Sequence, residues 1–268
     1  MKITRIPLSG AVNTRDLGGF ETTDGHKIRP KRLLRSSELS ETTLEDRRIL
    51  KEEYALRTVV DFRTGLERQE KPEISLPDTV FCHLPIMDES TMGITHESKE
   101  DRQLFTGLFT ELAKRRQSPE EYMTSIYRSI TETEFSRSQY GSFLKLLENQ
   151  TEGSTLWHCS AGKDRAGLGT ALVLLALDVP RELIVEDYLM TGVFLKDKIM
   201  AAANILADKL PDTDTFALAD CLLGVKESYI DSLFDIIDAQ SSSPAEFLET
   251  AFGLDHSRQK HLKEIYLD

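Results

Sequence analysis

Cys159 and Arg165 stand six positions apart, and both side chains are suited to chemistry on a phosphate group. A cysteine thiolate is a strong nucleophile, and a guanidinium can bind two phosphate oxygens at once. Residues 155–159 predict a short buried strand and residues 168–177 a buried helix, so the loop 159–165 joins a strand to a helix N-terminus. Backbone N–H groups and the helix dipole make such a loop an anion-binding site. The spacing therefore predicts attack by Cys159 on a bound phosphate ester.

The same positive field predicts a reactive cysteine, because it favours the thiolate. We expect it to lower the pKa of Cys159 from about 8.5 to roughly 3.5–7.5. The alternative, a buried structural cysteine beside a surface arginine, is disfavoured by Gly162, which stands where the backbone must turn sharply, and by the small pair 166–167 that opens the helix. A nucleotide-binding loop is excluded, because that motif needs glycine at Trp157 and serine or threonine at Asp164.

The segment from His158 to Arg165 resembles the active-site loop of the cysteine-dependent protein tyrosine phosphatases: His-Cys, five residues, Arg. With Ala-Gly-Lys-Asp inside, it is most similar to a bacterial family of tyrosine and lipid phosphatases that also carries an N-terminal Asn-Phe-Arg-Asp-Leu-Gly-Gly segment. Residues 13–19 match that segment except at Thr14. Residues 60–64 and 185–189 also match, so the resemblance covers nearly the whole chain.

The resemblance implies an α/β fold with a central, mostly parallel sheet flanked by helices. It implies one tyrosine-phosphatase-like domain over residues 1–268, with helical elaborations at about 101–150 and 181–268. These additional helices form either a lid over the site or a packing layer, and the sequence leaves both alternatives open.

The implied reaction is hydrolysis of a phosphate monoester through a phosphocysteine intermediate, with no metal and no cofactor. Cys159 is the predicted nucleophile and Arg165 the phosphate clamp. The general acid is Asp164, inside the loop, or alternatively Asp88, at the start of a predicted mobile surface loop over 88–101. The predicted substrate-binding residues are Ser160, Ala161, Gly162, Lys163, Asp88, Arg63 and Arg15.

Two of those residues have equally simple structural interpretations. Arg15 could support the phosphate loop or form an ion pair in the N-terminal turn. Arg63 follows a predicted strand at 56–62, so it could share the rim of the site with Cys159 or pair with Asp61 to hold the next loop.

The leading substrate is phosphotyrosine, with phosphoserine and phosphothreonine as further candidates. Lys163 makes a phosphoinositide an alternative, because the Ala-Gly-Lys sequence also occurs in phosphoinositide phosphatases. Ala166 stands where the family usually has threonine or serine, so a slow enzyme or a phosphate-binding module is another alternative. A thiol redox enzyme is disfavoured, because the sequence places neither Cys82 nor Cys221 beside Cys159.

Composition narrows the class of protein further. The chain has 268 residues with 33 basic and 45 acidic side chains, a net charge of −12, which disfavours nucleic acid as a partner. Three scattered cysteines indicate neither a disulfide framework nor a metal site. No signal-peptide pattern and no membrane-spanning run is present, which predicts a cytoplasmic protein without membrane insertion; leaderless secretion would leave no mark. The oligomeric state has no signature in the sequence.

Overall fold

The computed structural model describes residues 3–88, 117–208, 210 and 213–268. In these residues a six-stranded sheet has the order β1-β2-β3-β6-β4-β5. The strands are β1 Thr4–Arg5, β2 Arg15–Asp16, β3 Leu33–Ser36, β4 Leu56–Asp61, β5 Val80–His83 and β6 Ser154–His158.

The sheet is mostly parallel, as the resemblance implied. Strands β3, β6, β4 and β5 pair in parallel, while β1 and β2 add two short antiparallel pairings at one edge. Since β6 lies between β3 and β4, the loop that follows it leaves from the middle of the sheet. The ends of the neighbouring strands lie beside it: Ser36 and Asp61 are both in register with His158.

Helices cover the sheet and extend beyond it. They are α1 Leu44–Arg48, α2 Gly65–Glu70, α3 Pro119–Glu132, α4 Glu134–Glu148, α5 Asp164–Ala176, α6 Arg181–Ala207, α7 Thr215–Leu223, α8 Glu227–Gln240, α9 Pro244–Phe252 and α10 His256–Tyr266. A π-helical turn, Ile49–Glu53, extends α1.

Helix α5 is the central helix of the molecule, because all thirteen of its residues are buried. Its apolar sequence is therefore explained by packing on every side. One continuous hydrophobic core contains most of its side chains and extends along the chain from Leu17 to Leu267.

Several boundaries differ from the sequence-based expectations. The sequence suggests separate helices at 181–190 and near 194–210, but α6 is continuous across Gly192, because buried residues recur at helical spacing on both sides of it. The sequence Thr42-Thr43-Leu44-Glu45 predicts a capping box at a helix start, but α1 begins one residue later, with Thr43 and Asp46 as its capping box. Helices α2 and α7 were not predicted. The predicted loop beyond Asp88 lies outside the described residues. The same holds for the apolar helix face that the spacing of Phe105, Leu108, Phe109 and Leu112 predicts.

Within the described part of the chain, no helix is both long enough and apolar enough to span a membrane.

Candidate active site

The predicted loop lies between β6 and α5, with Cys159 directly after the strand and Asp164 as the first residue of the helix. Gly162 makes the turn at φ +71, a left-handed conformation that favours glycine. A β-carbon at this position would lie 2.3 Å from the carbonyl oxygen of Ser36. Glycine is therefore required both for the turn and for the close approach of the loop to β3.

The loop carbonyls are bonded on the side away from its pocket. The side chain of Asn13 donates to the carbonyls of Ala161, at 3.1 Å, and Gly162, at 3.0 Å. The backbone N–H of Glu38 donates to the carbonyl of Ser160. In a trans peptide the following N–H points opposite to the carbonyl. The N–H groups of residues 161–163 therefore point away from Asn13 and Glu38, neither of which lines the pocket that contains Cys159.

Two buried arginines support the loop from behind. Arg35 Nη2 donates to the Gly162 carbonyl at 2.7 Å, and its Nη1 binds Asp187 at 2.6 Å. Arg15 Nε binds the other oxygen of Asp187 at 2.7 Å. Although burial alone would raise it, the pKa of Asp187 is lowered by the two guanidinium groups. The motif residues near 15 and 187 thus meet behind the loop.

Arg15 does not have the position that its predicted substrate contact requires. Its nitrogens all donate inside the protein, to Asp187, Thr191 and both the carbonyl and side chain of Asn13. Burial, together with Arg35, lowers the pKa of Arg15 to about 10. The structure therefore assigns Arg15 to support of the loop through Asn13, the first of the two alternatives left open by the sequence.

Arg165 is held by a residue that the sequence reasoning missed. Both of its terminal nitrogens donate to Glu67 of α2, at 2.6 and 2.7 Å, and Ser160 Oγ also donates to Glu67. Although burial would raise it, Arg165 and Ser160 lower the pKa of Glu67 to about 2. The signal was available: Thr64 and Glu67 form a capping box, which marks the start of α2.

One donor of Arg165 remains open. Its Nε is buried and has no hydrogen-bond partner within the described chain. A buried donor without a partner is costly unless a ligand satisfies it. Arg165 also lines the cavity that contains Cys159. The geometry thus presents a guanidinium edge for a phosphate oxygen while Glu67 holds the other edge.

The pKa of Cys159 differs from the sequence-based expectation. The side chain is buried, and burial raises the pKa of its thiol above the ordinary value. The Arg165 guanidinium and the Ala166 N–H act in the opposite direction, while Asp164 and Glu67 add to the increase. The predicted lowering is therefore not observed in this arrangement, because loss of hydration outweighs the favourable dipoles.

His158 lies behind the loop in a network of charged residues. It is in contact with Glu73, 3.0 Å from Nε2, and with the Cys159 carbonyl, 3.2 Å from Nδ1. Asp61 and Glu73 raise the pKa of His158 although burial lowers it. Arg63 binds Asp61 at 2.9 Å. This network braces the first peptide of the loop.

Arg63 thus has the structural role that was one of its two interpretations. Besides Asp61, its guanidinium binds Glu38 at 3.1 Å and the carbonyl of Lys71 at 2.9 Å. Asp61, Glu73 and His158 are close enough together to share a metal ion. The donor set does not fit a cation, however, because the Arg63 guanidinium already occupies both carboxylates.

A cavity of about 30 Å³ lies over the sulfur, room for about two water molecules. The loop residues that line it are Cys159, Ser160, Ala161, Lys163, Asp164 and Arg165, and the covering residues are Tyr122, Met123 and Ile126 of α3 and Leu222 and Leu223 of α7. Two of the additional helices, α3 and α7, therefore lie over the site, which is the position that the lid alternative predicts. A phosphorylated substrate needs more space than this cavity offers.

Lys163 connects the loop to this cover. Its buried ammonium donates to Asp164 at 3.1 Å and to the carbonyls of Leu222 and Gly224, at the C-terminal end of α7. Asp88, the alternative general acid, is half-buried and is not among the residues that line the cavity. Asp164 does line it.

The fold and this loop define the class of the protein, a tyrosine phosphatase. The model of the tyrosine phosphatase family matches residues 6–268, and the chain belongs to that family. It is 27% identical to the triple specificity protein phosphatase PtpB of Mycobacterium tuberculosis, over the full length of both chains. It is 26% identical to a tyrosine-protein phosphatase of Nostoc commune, over 61% of this chain and 49% of that one. The protein is thus a hydrolase of phosphate monoesters, and the resemblance inferred from the loop is confirmed.

Proposed function

We propose that this protein is a protein tyrosine phosphatase that works through a phosphocysteine intermediate formed on Cys159. The observation that supports this proposal most strongly is the set of hydrogen-bond donors around the Cys159 sulfur. The buried Nε of Arg165 has no partner among the described residues, and the N–H groups of residues 161–163, which point away from Asn13, face the pocket in this proposal. A phosphoryl group in the pocket would satisfy these donors.

In the first step, Cys159 Sγ attacks phosphorus, an S–P bond forms, and the bond from phosphorus to the leaving oxygen breaks. Loop N–H groups and Arg165 bind the equatorial oxygens as charge redistributes. Asp164 gives its proton to the leaving oxygen. In the second step, water attacks phosphorus, its proton passes to the Asp164 carboxylate, and the S–P bond breaks.

The attacking sulfur has to be ionised, and burial opposes this. Burial is the first cause of the raised pKa of Cys159, so a pocket that is open to water would lower this pKa. The lowering effects of Arg165 and of the Ala166 N–H remain, because both belong to the loop itself. Ionisation of Cys159 is thus favoured when the pocket opens.

The lining of the cavity favours an aromatic phosphate. Above the polar loop it consists of Tyr122, Met123, Ile126, Leu222 and Leu223. Such side chains pack well on a phenyl ring. The name of the mycobacterial relative states a triple specificity. We therefore retain serine, threonine and lipid phosphates as further candidate substrates. A phosphoinositide would recruit Lys163 only by displacing its bonds to α7.

The intermediate offers a direct test of the proposal. The protein is mixed with a phosphotyrosine peptide, quenched with acid within milliseconds, digested and analysed by mass spectrometry. We expect a phosphoryl group on the peptide that contains Cys159, and hydrolysis that is unaffected by a chelator. A panel of phosphotyrosine, phosphoserine and phosphoinositide substrates then ranks specificity. Phosphate on any other residue, or no hydrolysis of any substrate in the panel, would overturn the proposal.

The alanine at position 166 leads us to expect slow hydrolysis of the phosphocysteine intermediate, which is the second step. The Ala166 N–H contacts the Cys159 sulfur, but the alanine has no hydroxyl to donate to that sulfur as it leaves. One charge-assisted hydrogen bond is worth about 1.5–3 kcal/mol. We therefore expect a burst of released phenol before steady turnover, and Ala166→Thr or the smaller Ala166→Ser to raise turnover by about 10–100-fold.

Stopped-flow measurement of nitrophenol release checks this expectation. Ala171→Ser is the matched control, since it adds the same hydroxyl to a buried alanine further along α5. Absence of a burst, together with no gain from either substitution at Ala166, would contradict it.

A further inference from the structure

Asp164 is held on one side by a chain of two buried tyrosines that the sequence reasoning did not identify. The hydroxyl of Tyr127, on α3, donates to Oδ1 of Asp164 at 2.7 Å. The hydroxyl of Tyr188, on α6, lies 2.5 Å from that of Tyr127. Both tyrosines are fully buried, with at most 1% of their surface exposed. Three separate helices thus meet at one carboxylate.

The direction of these hydrogen bonds follows from counting protons. A tyrosine hydroxyl has one proton to donate. Because Tyr127 donates it to Asp164, it must accept from Tyr188. Burial raises the pKa of both tyrosines well above the ordinary value, so both remain protonated donors. The chain runs from Tyr188 to Tyr127 to Asp164.

The two oxygens of Asp164 consequently have different environments. Oδ1 accepts from Tyr127 and, at 3.1 Å, from Lys163. Oδ2 has no hydrogen bond to any described residue, although Asp164 lines the cavity over Cys159. A proton on the carboxyl group therefore belongs on Oδ2, because binding it at Oδ1 would displace a donor.

The tyrosines are built into the same supports as the loop. Tyr188 directly follows Asp187, which binds Arg15 and Arg35 behind the loop. A β-carbon at Gly167 would lie 3.3 Å from the ring of Tyr188, so glycine at this position lets the ring approach α5 closely. A shift of α6 would therefore move both the loop supports and the tyrosine chain.

We infer that Tyr127 is a positioning residue for the general acid: it binds Oδ1 of Asp164 and so directs the protonated Oδ2 toward the leaving oxygen. Tyr188 acts through Tyr127 by orienting its hydroxyl. The inference rests on the proposed function. In the step concerned, the Oδ2 proton passes to the leaving oxygen as its bond to phosphorus breaks and the S–P bond forms. In the second step, Oδ2 takes a proton from the attacking water.

The test measures how the effect of Tyr127→Phe depends on the leaving group. The substrates are dinitrophenyl phosphate, whose phenolate leaves without a proton, and phenyl phosphate and phosphotyrosine, whose leaving oxygens need one. We expect kcat/KM to fall about 10–100-fold for phosphotyrosine and less than about threefold for dinitrophenyl phosphate. Asp164→Asn should show the same pattern with larger losses, and Tyr188→Phe the same pattern with smaller ones.

Tyr266→Phe is the matched control, because it removes another buried tyrosine hydroxyl, one that donates to the Leu147 carbonyl of α4. Its effect should be the same for all leaving groups. An equal loss on every substrate for Tyr127→Phe would overturn the inference and leave the proposed function intact. If Tyr127→Phe does not fold, the Tyr188→Phe variant decides between the same outcomes, by how its loss in kcat/KM depends on the leaving group. No hydrolysis by the unaltered protein would instead overturn the proposed function.

Discussion

Replacing Cys159 by serine is expected to abolish hydrolysis while leaving substrate binding intact. The hydroxyl that takes the place of the thiol is a far weaker nucleophile at neutral pH, and His158 is not placed to activate it, because its ring contacts Glu73 and the Cys159 carbonyl. Loss of a nucleophile of this kind lowers kcat by about 10⁴-fold or more. The loop N–H groups and Arg165 do not depend on the sulfur, so we expect affinity for a phosphotyrosine peptide to change less than about threefold.

Two measurements separate this effect from unfolding. Steady-state hydrolysis of an aryl phosphate gives the loss of turnover, and calorimetric titration with the peptide gives the affinity. Cys82→Ser is the matched control, since Cys82 is a half-buried thiol in β5 outside the cavity. Retention of more than about a hundredth of the activity by Cys159→Ser would show that another group attacks phosphorus. A comparable loss in Cys82→Ser would show that the loss is not specific to position 159.

The substitution Glu67→Gln is expected to weaken both the fold and catalysis. Glutamine retains the capping position on α2 but cannot neutralise Arg165, which is buried and binds both oxygens of Glu67. Removing one partner of a buried ion pair costs about 3–5 kcal/mol of unfolding free energy. Without the Glu67 carboxylate, the Arg165 guanidinium also loses its fixed orientation. We therefore expect kcat/KM to fall by about 100-fold.

The loss of unfolding free energy in Glu67→Gln should depend on pH in a definite direction. The pKa of Glu67 is lowered in the folded protein from 4.5 to about 2, so the ionised group stabilises the fold most above pH about 4.5. The stabilisation, about 3 kcal/mol, disappears as the pH falls from about 4.5 to 2. Urea unfolding of the unaltered protein and of Glu67→Gln should therefore differ at pH 7 and converge near pH 2.

Glu249→Gln controls for the loss of a carboxylate from a helix, because Glu249 is exposed on α9. It should unfold like the unaltered protein at every pH. A constant difference between Glu67→Gln and the unaltered protein from pH 7 to pH 2 would contradict the assignment of an ionised Glu67 to Arg165.

The sequence alone predicted the chemistry of the loop, and the resemblance that it carries predicted the kind of sheet. The spacing of Cys159 and Arg165 between an apolar strand and an apolar helix is local information, and one turn of chain is enough to define an anion site. The strands 154–158 and 56–61 were also predictable, because short apolar β-branched runs have few alternatives. The sequences Ser-Pro-Glu-Glu from 118 and Ser-Pro-Ala-Glu from 243 predict helix starts for the same reason, and both serines cap helices, Ser118 in a complete capping box.

Tertiary structure alone decided which distant residues serve the loop. Arg15, 144 positions before Cys159 in the sequence, reaches the loop through Asn13 and through Asp187, which also binds Arg35. Glu67 reaches Arg165 across 98 positions. Pairings of this kind depend on which strand ends become neighbours, and a single chain carries no local pattern for that. The direction of the Cys159 pKa depends in the same way on burial beneath α7, since desolvation is a property of the packed molecule rather than of its loop.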